Sequence, residues 1–225
     1  MEKMKLGVLF SGGKDSTMAA FMVKQLGYEI VCLISVASSN KESYMFHTPS
    51  ISRTKEQAKA IGIPILTKET KGEKEKELED LGEVIKEAKE KFNIKGVVTG
   101  AIESVYQASR IQRICDELDL ECFNPLWQKD QVELLNDLIK NKFEVILTGV
   151  FAYPFDEKWL GIKIDRNFIE EIKNLSEKYK INPAGEGGEF ETFVINCPMF
   201  KKPLTIKDKK IFGEKNSWRM ELEIK

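Results

Sequence analysis

Residues 5–118 alternate between short apolar runs and segments whose apolar residues recur at steps of three and four. The runs have the length and β-branched content of strands, and the steps are those of one helix face. Strands that alternate with helices pair in parallel through right-handed crossovers. We therefore predict an α/β fold with a Rossmann-like parallel sheet. The predicted strands are 5–10, 29–36, 63–66 and 96–100, and the predicted helices are 16–26, 52–61, 73–92 and 104–118.

The pattern changes near Asn124 and Pro125. Beyond this point the regular alternation stops, and several β-like runs follow one another. We place a domain boundary at residue 125, which gives an α/β domain of residues 1–125 and a smaller α+β domain of residues 126–225. In the second domain the predicted helices are 131–140 and 166–179, and the predicted strands are 143–148, 192–196, 204–212 and 217–224.

Charge and cysteine content exclude several classes of protein. The 225 residues include 35 Lys+Arg and 36 Asp+Glu, a balance that argues against bulk electrostatic binding to nucleic acid. No apolar stretch approaches the roughly 20 residues that cross a bilayer, so we predict a cytoplasmic protein. The four cysteines form no CxxC pair, and His47 is the single histidine, which makes a zinc cluster improbable.

Residues 11–16, Ser-Gly-Gly-Lys-Asp-Ser, lie between the first predicted strand and the first predicted helix. Glycines let the backbone approach a ligand closely, and a helix start presents unpaired N–H groups at the positive end of its dipole. Lys14 adds a cation, and Ser11 and Ser16 add hydroxyl groups. This combination predicts a phosphate-binding loop. The alternative is an ordinary turn in which Asp15 or Ser16 caps the helix.

The loop has neither the spacing of GxxxxGK[ST] nor that of GxGxxG. It resembles the PP-loop of the N-type ATP pyrophosphatases, whose pattern is SGGxDS and whose domain is HUP-like. The resemblance implies that the loop holds the pyrophosphate end of ATP and that ATP is cleaved between its α and β phosphates. It also implies Mg²⁺, with Lys14 and Asp15 as catalytic residues and Asp15 contacting the metal or orienting Lys14.

The expected nucleotide contacts extend beyond this loop. Gly100 and Ala101 lie where a predicted strand ends, at the sheet edge where ligands collect, and their backbone amides are expected to approach the α phosphate. A backbone contact to adenine near Ile34, at the end of the second predicted strand, is implied by the resemblance. The full set of expected contacts is Ser11, Gly12, Gly13, Lys14, Asp15, Ser16, Ile34, Gly100 and Ala101.

Three more segments, 43–48 (SYMFHT), 100–107 (GAIESVYQ) and 185–192 (GEGGEFET), stand out. Together with the PP-loop they resemble the diphthine–ammonia ligase family, from residue 5 to about residue 196, and GEGGEFET is the most specific of them. The resemblance implies that ATP adenylates the carboxylate of diphthine, a modified histidine on translation elongation factor 2. Ammonium then gives diphthamide, AMP and pyrophosphate. The first domain would bind the nucleotide and the second would select the substrate.

Diphthine carries a trimethylammonium group, which carboxylates offset and aromatic faces attract. We therefore expect Glu186, Glu189 and Glu191 near this cation, with Phe190 or Trp127 as the aromatic group and Glu189 as a catalytic residue. The alternative for this segment is a surface turn with solvated carboxylates. The helix after Ala101 carries Arg110 and Arg113, which we expect to bind a phosphate or an acidic surface of the target protein. The expected substrate contacts are His47, Tyr106, Gln107, Arg110, Glu186, Gly187, Gly188, Glu189 and Glu191.

Three other functions remain open on the sequence. A PP-loop enzyme that modifies tRNA, such as a thiolase, would need paired cysteines, and Cys115 and Cys122 could meet in space. A non-catalytic ATP-binding module of the same fold would release no pyrophosphate. A glutamine-dependent amidotransferase is a weaker alternative. We expect no stable binding to nucleic acid or membrane, and a homodimer on base rate alone. Five lysines cluster among the last β-like runs, and in the favoured interpretation they keep an edge strand soluble, whereas in the alternative they contact the elongation factor: Lys201, Lys202, Lys207, Lys209 and Lys210.

Overall fold

The computed structural model describes residues 3–38, 51–70 and 76–225. The chain divides into two compact units, one ending at Trp127 and the other beginning at Gln128. The boundary predicted from the sequence was residue 125. Each unit contains a sheet of its own, and the two are described separately.

The sheet of the first unit is parallel, and its described strands lie in the order β3-β2-β1-β4-β5. The predicted parallel α/β fold is therefore confirmed. The chain winds outward from β1 to β3 and then returns to the other side of β1 with β4. In open α/β sheets, ligands bind beyond the carboxyl ends of the strands at such a switch point. The strands are β1 (Lys5–Leu9), β2 (Glu29–Ser38), β3 (Ile65–Thr70), β4 (Gly96–Val98) and β5 (Glu121–Phe123).

The helices of the first unit follow the predicted spacing. In α3 the stripe of Leu81, Val84, Ile85 and Ala88 is buried in the same core cluster as Val97 of β4, while charged residues cover the opposite face, as expected of an amphipathic helix. The four helices are α1 (Lys14–Gln25), α2 (Ile51–Ile61), α3 (Lys76–Phe92) and α4 (Val105–Glu117).

In the first unit, β5 and β3 differ most from the prediction. The strand β5 was missed, because only three residues pair with β4 before Asn124 and Pro125 end the pattern. The strand β3 was predicted to end at residue 66 but runs on to Thr70. Its sequence becomes polar there, which an edge strand tolerates because one side of it has no neighbouring strand among the described residues.

The second unit contains an antiparallel sheet in the order β7-β6-β9-β8, with helices packed on it. Its core holds edge-to-face rings of Phe155, Trp159, Phe168 and Phe190, with centroids 4.9–6.0 Å apart. The elements are α5 (Gln131–Lys140), β6 (Glu144–Val150), a 3₁₀ turn (Glu157–Trp159), α6 (Arg166–Tyr179), β7 (Phe190–Asn196), β8 (Ile206–Glu214) and β9 (Ser217–Ile224).

The strand β8 lies at the edge of this sheet and is exposed along most of its length. Lys207, Lys209 and Lys210 lie on it, as predicted. Separately, among the helices of the described ranges none combines the length and the apolar character that crossing a membrane requires.

Candidate functional site

The loop between β1 and α1 is held by its own hydroxyl groups. The Ser11 and Ser16 hydroxyls are 3.1 Å apart, and the Gly13 N–H donates to Ser11 Oγ at 3.3 Å. Gly13 is the N-cap of α1, without a side-chain capping bond, so the alternative of a cap by Asp15 or Ser16 is wrong. A helix start without a side-chain cap keeps its N–H groups available for an anion.

Lys14 and Asp15 form an ion pair at the start of α1. Lys14 Nζ donates to Asp15 Oδ2 at 2.8 Å, and the lysine is 3% exposed. The second oxygen, Asp15 Oδ1, is buried and has no hydrogen-bond partner within the described residues. A carboxylate oxygen of this kind suits Mg²⁺, which prefers oxygen ligands and usually shares them with substrate phosphates. In the described ranges, no group of three or more metal-binding side chains was found.

The loop after β4 packs directly against this helix start. A Cβ atom on Gly100 would lie 2.7 Å from the Ser16 nitrogen and 2.8 Å from the Asp15 carbonyl carbon. Glycine is therefore required for the backbones to approach this closely. The Ala101 N–H donates to Thr99 Oγ1 at 3.1 Å, and the Thr99 hydroxyl in turn donates to Asn124 Oδ1 at 2.6 Å. The Ala101 amide is thus bonded to Thr99, whereas the sequence predicted that it faces the α phosphate.

Ile34 lies within β2, in register with Leu9 on one side and Leu66 on the other. Its carbonyl accepts the Phe10 N–H at 2.7 Å. The expected position at the end of the strand is therefore wrong, because β2 continues to Ser38, and a contact from Ile34 to adenine stays a prediction. The hydroxyl of Ser35, the next residue, is buried without a hydrogen-bond partner among the described residues. The sequence signal for Ser35 was a polar residue inside an apolar run.

The first turns of α4 carry a stacked pair. The Arg110 guanidinium carbon lies 3.4 Å from the centroid of the Tyr106 ring, and Arg110 also donates to the Tyr106 carbonyl at 3.3 Å. The Gln107 N–H donates to Ser104 Oγ, which caps the helix. Arg113 instead pairs with Glu117 at 2.9 Å, and its side chain is 82% exposed. Arg113 therefore belongs to the solvated face, and the expectation that it binds phosphate loses its support.

In the second unit, the segment before β7 forms a loop closed by Glu189. Glu189 Oε1 accepts the Asn182 N–H at 2.7 Å and the Asn182 side-chain amide at 3.1 Å, while Oε2 accepts the Gly187 N–H at 2.8 Å. The Gly188 N–H donates to the Gly185 carbonyl at 3.0 Å. Glu189 is 7% exposed. Its described bonds hold its own loop, and a catalytic role for it stays a prediction.

A second side chain closes the same loop from α5. Gln131 donates to Asn182 Oδ1 at 3.2 Å and accepts the Ala184 N–H at 3.0 Å. Neither Gln131 nor Asn182 was found by sequence reasoning. Single amides outside any motif give no signal, because their function depends on a fold that brings α5 to this loop.

The other acidic residues of the segment differ from Glu189. Glu186 is half-buried in the loop. Glu191 lies on β7, 4.0 Å from Arg219. The expectation that the Phe190 ring lies against the cation is wrong, because this ring packs in the core against Phe155 and Phe168. In the first unit, Trp127 is 37% exposed and stays a candidate for the aromatic group.

Comparison with known proteins identifies the family. The family model of the diphthamide synthase N-terminal domain matches residues 4–122, and that of the C-terminal domain matches residues 130–224. The chain belongs to the diphthamide synthase family. The diphthine–ammonia ligase of Bos taurus is 33% identical over 227 positions, and that of Homo sapiens is 32% identical over 227 positions. Each alignment covers 92% of this chain and 85% of the relative.

Among solved structures, a predicted subunit of tRNA methyltransferase from Methanocaldococcus jannaschii aligns with a TM-score of 0.44 and 22% identity. The alignment covers 89% of this chain and 99% of that chain.

One segment that carried the resemblance to this family is not described. Residues 43–48, with His47, lie outside the described ranges. The role of His47 as a substrate contact is therefore still only a prediction.

The sequence did not decide whether Cys115 and Cys122 meet in space. In this member of the diphthamide synthase family they do. Cys115 of α4 hydrogen-bonds Cys122 of β5, which together with burial raises the pKa of the Cys115 thiol. The same bond, with a weaker one from Asn124 at 3.7 Å, lowers the pKa of Cys122. Cys115 is fully buried, whereas Cys122 is half-buried. Burial of one partner argues against direct attack by this pair on a substrate.

We expect iodoacetamide near neutral pH to modify Cys122 before Cys32, Cys115 or Cys197. The thiolate is the reactive form, and Cys122 combines a lowered pKa with partial exposure. Mass spectrometry after limited alkylation measures the order of labelling. First modification of a buried cysteine would contradict a hydrogen bond in which the Cys115 thiol donates to the Cys122 sulfur.

Proposed function

We propose that this protein is an ATP-dependent diphthine–ammonia ligase. The observation that carries the proposal is the match of both diphthamide synthase domains along the chain, together with relatives of that name aligned over 92% of it. The substrate would be diphthine on translation elongation factor 2, and the second substrate ammonium. The cytoplasm follows as the compartment, because that substrate is a translation factor. A homodimer stays a prediction.

The proposed reaction has two steps. A carboxylate oxygen of diphthine attacks the α phosphorus of ATP, and the bond from that phosphorus to the bridging oxygen breaks to release pyrophosphate. The nitrogen of ammonia then attacks the acyl carbon, and AMP leaves with the former carboxylate oxygen. Ammonium loses two protons as the amide forms. AMP is a far better leaving group than the oxygen of a carboxylate, which is the chemical reason for consuming ATP.

The residues of the first unit suit the phosphate chemistry. The uncapped start of α1 directs N–H groups and the positive dipole end to the loop, and Lys14 supplies a buried cation beside it. In this proposal Asp15 orients Lys14 through Oδ2 and holds Mg²⁺ through Oδ1. Bound there, the metal would neutralise charge on the phosphate oxygens.

The residues of the second unit suit a cationic substrate. The loop closed by Glu189 carries Glu186, and β7 continues with Glu191. In this proposal Glu186 and Glu191 offset the trimethylammonium group of diphthine, while Glu189 fixes the shape of the loop. This division follows from the bonds of Glu189, which already satisfy both of its oxygens.

The test is pyrophosphate release by the purified protein with elongation factor 2 that carries diphthine. We expect release to require ATP, ammonium and the modified factor together, and mass spectrometry to show conversion of the carboxylate to an amide. The same factor without diphthine is the control. No amide formation with all components present would refute the ligase function, even if ATP binds.

Asp15→Asn should lower the rate of pyrophosphate release by at least about tenfold, since a charge-assisted interaction contributes roughly 1.5–3 kcal/mol. The amide keeps the size of the side chain but removes the charge that Lys14 and a metal would share. Titration with Mg²⁺ measures the effect, and higher Mg²⁺ should restore part of the rate. An unchanged Mg²⁺ dependence would show that Asp15 orients Lys14 and does not bind the metal.

A further inference from the structure

One side chain outside every motif reaches the PP-loop. Gln57 of α2 is fully buried, and its Nε2 donates to the carbonyl of Gly12 at 2.9 Å. Gly12 has φ +79°, a left-handed conformation that favours glycine. A Cβ atom there would lie 2.1 Å from Gln57 Oε1. Gln57 and Gly12 are therefore packed to fit each other.

The bond fixes the orientation of one peptide group in the loop. In a trans peptide the carbonyl and the N–H of the following residue point in opposite directions. With the Gly12 carbonyl turned towards buried Gln57, the Gly13 N–H points away from it, towards Ser11 Oγ at 3.3 Å. A phosphate needs N–H groups on its side of the loop and is repelled by carbonyl oxygens. Reversal of this peptide would present the wrong group.

Filling space does not account for a glutamine at this position. A buried amide costs free energy unless its polar atoms are hydrogen-bonded, so an apolar side chain of similar size would fill the same volume more favourably. Through Nε2, the amide holds a carbonyl 45 positions away in the chain. This bond acts on the backbone of the loop.

We propose that Gln57 is a positioning residue of the PP-loop, which holds the Gly12–Gly13 peptide in the orientation that binds the phosphates of ATP. The inference deepens the proposed function and rests on it for the identity of the ligand. Gln57 acts through Gly12 and needs no contact with the nucleotide. Its effect should therefore be confined to ligands that carry phosphate.

The experiment compares three ligands by calorimetric titration of the full chain: ATP, inorganic pyrophosphate and adenosine. Gln57→Leu keeps the volume and removes the donor. We expect this variant to lower the affinity for ATP and for pyrophosphate about tenfold, the effect of one lost hydrogen bond to the loop. The affinity for adenosine should change less than about twofold. Gln57→Asn, too short to reach Gly12, should give the same pattern and serves if Gln57→Leu does not fold.

The matched control is Ala58→Gly, on the next residue of the same helix. Ala58 is 3% exposed, and glycine there destabilises the helix by about 1 kcal/mol without changing a bond to the loop. It should leave all three affinities unchanged. Equal weakening of adenosine and pyrophosphate by the Gln57 variants, or no weakening of either, would overturn the positioning role. Wild-type protein that binds ATP but forms no amide would refute only the proposed function.

Discussion

Gly100→Ala should lower pyrophosphate release by at least about 100-fold, the order of loss that a displacement of roughly 1 Å produces in a reaction that depends on orientation. The added methyl group would lie 2.7 Å from the Ser16 nitrogen and 3.0 Å from its Cα. These are backbone atoms of the first turn of α1, so no side chain can rotate to make room. Either the loop of residues 11–16 or the loop after β4 must move. The measurement is steady-state pyrophosphate release together with the dissociation constant for ATP.

Gly82→Ala is the matched control for the same chemical change. Among the described residues, its added methyl group would meet only Ile114 Cγ2, at 3.9 Å, which is ordinary contact. Because Gly82 lies inside α3, alanine there should stabilise the protein by up to about 1 kcal/mol and leave the rate unchanged. If Gly100→Ala kept the wild-type rate, the close packing of Gly100 on α1 would have no part in shaping the site.

The fold could be predicted where the deciding interactions are local. The apolar stripe of α3 is set by spacing along one helix, and the sequence predicted it directly. The strand β5 could not be found in this way. Its three residues form a strand because β4 supplies the backbone partners, and the N–H of Glu121, its first residue, donates to the carbonyl of Lys95, just before β4. Pairing with a distant segment leaves no local periodicity.

The candidate site divides along the same line. The composition of residues 11–16 was enough to predict a phosphate-binding loop at a helix start, because both properties belong to that short stretch. Gln57 was missed, since its partner Gly12 is distant in the chain and a glutamine on a helix has no distinctive pattern. The error for Ile34 arose because the apolar run did not show that pairing with β3 extends β2 to Ser38.

The three glutamates before and within β7 could not be told apart from sequence. Which one bonds to its own loop depends on how the chain turns at Gly187 and Gly188. The structure distinguishes them, because both oxygens of Glu189 accept N–H groups of Asn182 and Gly187. In the proposed function, the cationic ligand is therefore assigned to Glu186 and Glu191.

Glu189→Gln should therefore act through the loop. The amide would direct an NH₂ group at a backbone N–H, and the loss of a hydrogen bond to a charged acceptor costs about 1.5–3 kcal/mol. We expect the free energy of unfolding to fall by about this amount. Because the same bonds fix the shape of the loop, diphthine turnover should also fall, by at least about tenfold, the factor that corresponds to about 1.4 kcal/mol. The dissociation constant for ATP should stay within about twofold. Thermal unfolding, steady-state turnover of diphthine and calorimetric titration with ATP measure the three quantities.

Two glutamate variants separate the shape of the loop from its charge. Glu186→Gln removes a carboxylate from the loop without changing the bonds of Glu189, so it should raise the KM for the diphthine substrate. Glu171→Gln, on the exposed face of α6, should change neither that KM nor the free energy of unfolding. If Glu189→Gln lowered turnover with wild-type stability, Glu189 would act on the substrate directly. If Glu189→Gln weakened the binding of ATP as strongly as it lowered diphthine turnover, the Glu189 carboxylate would act in nucleotide binding.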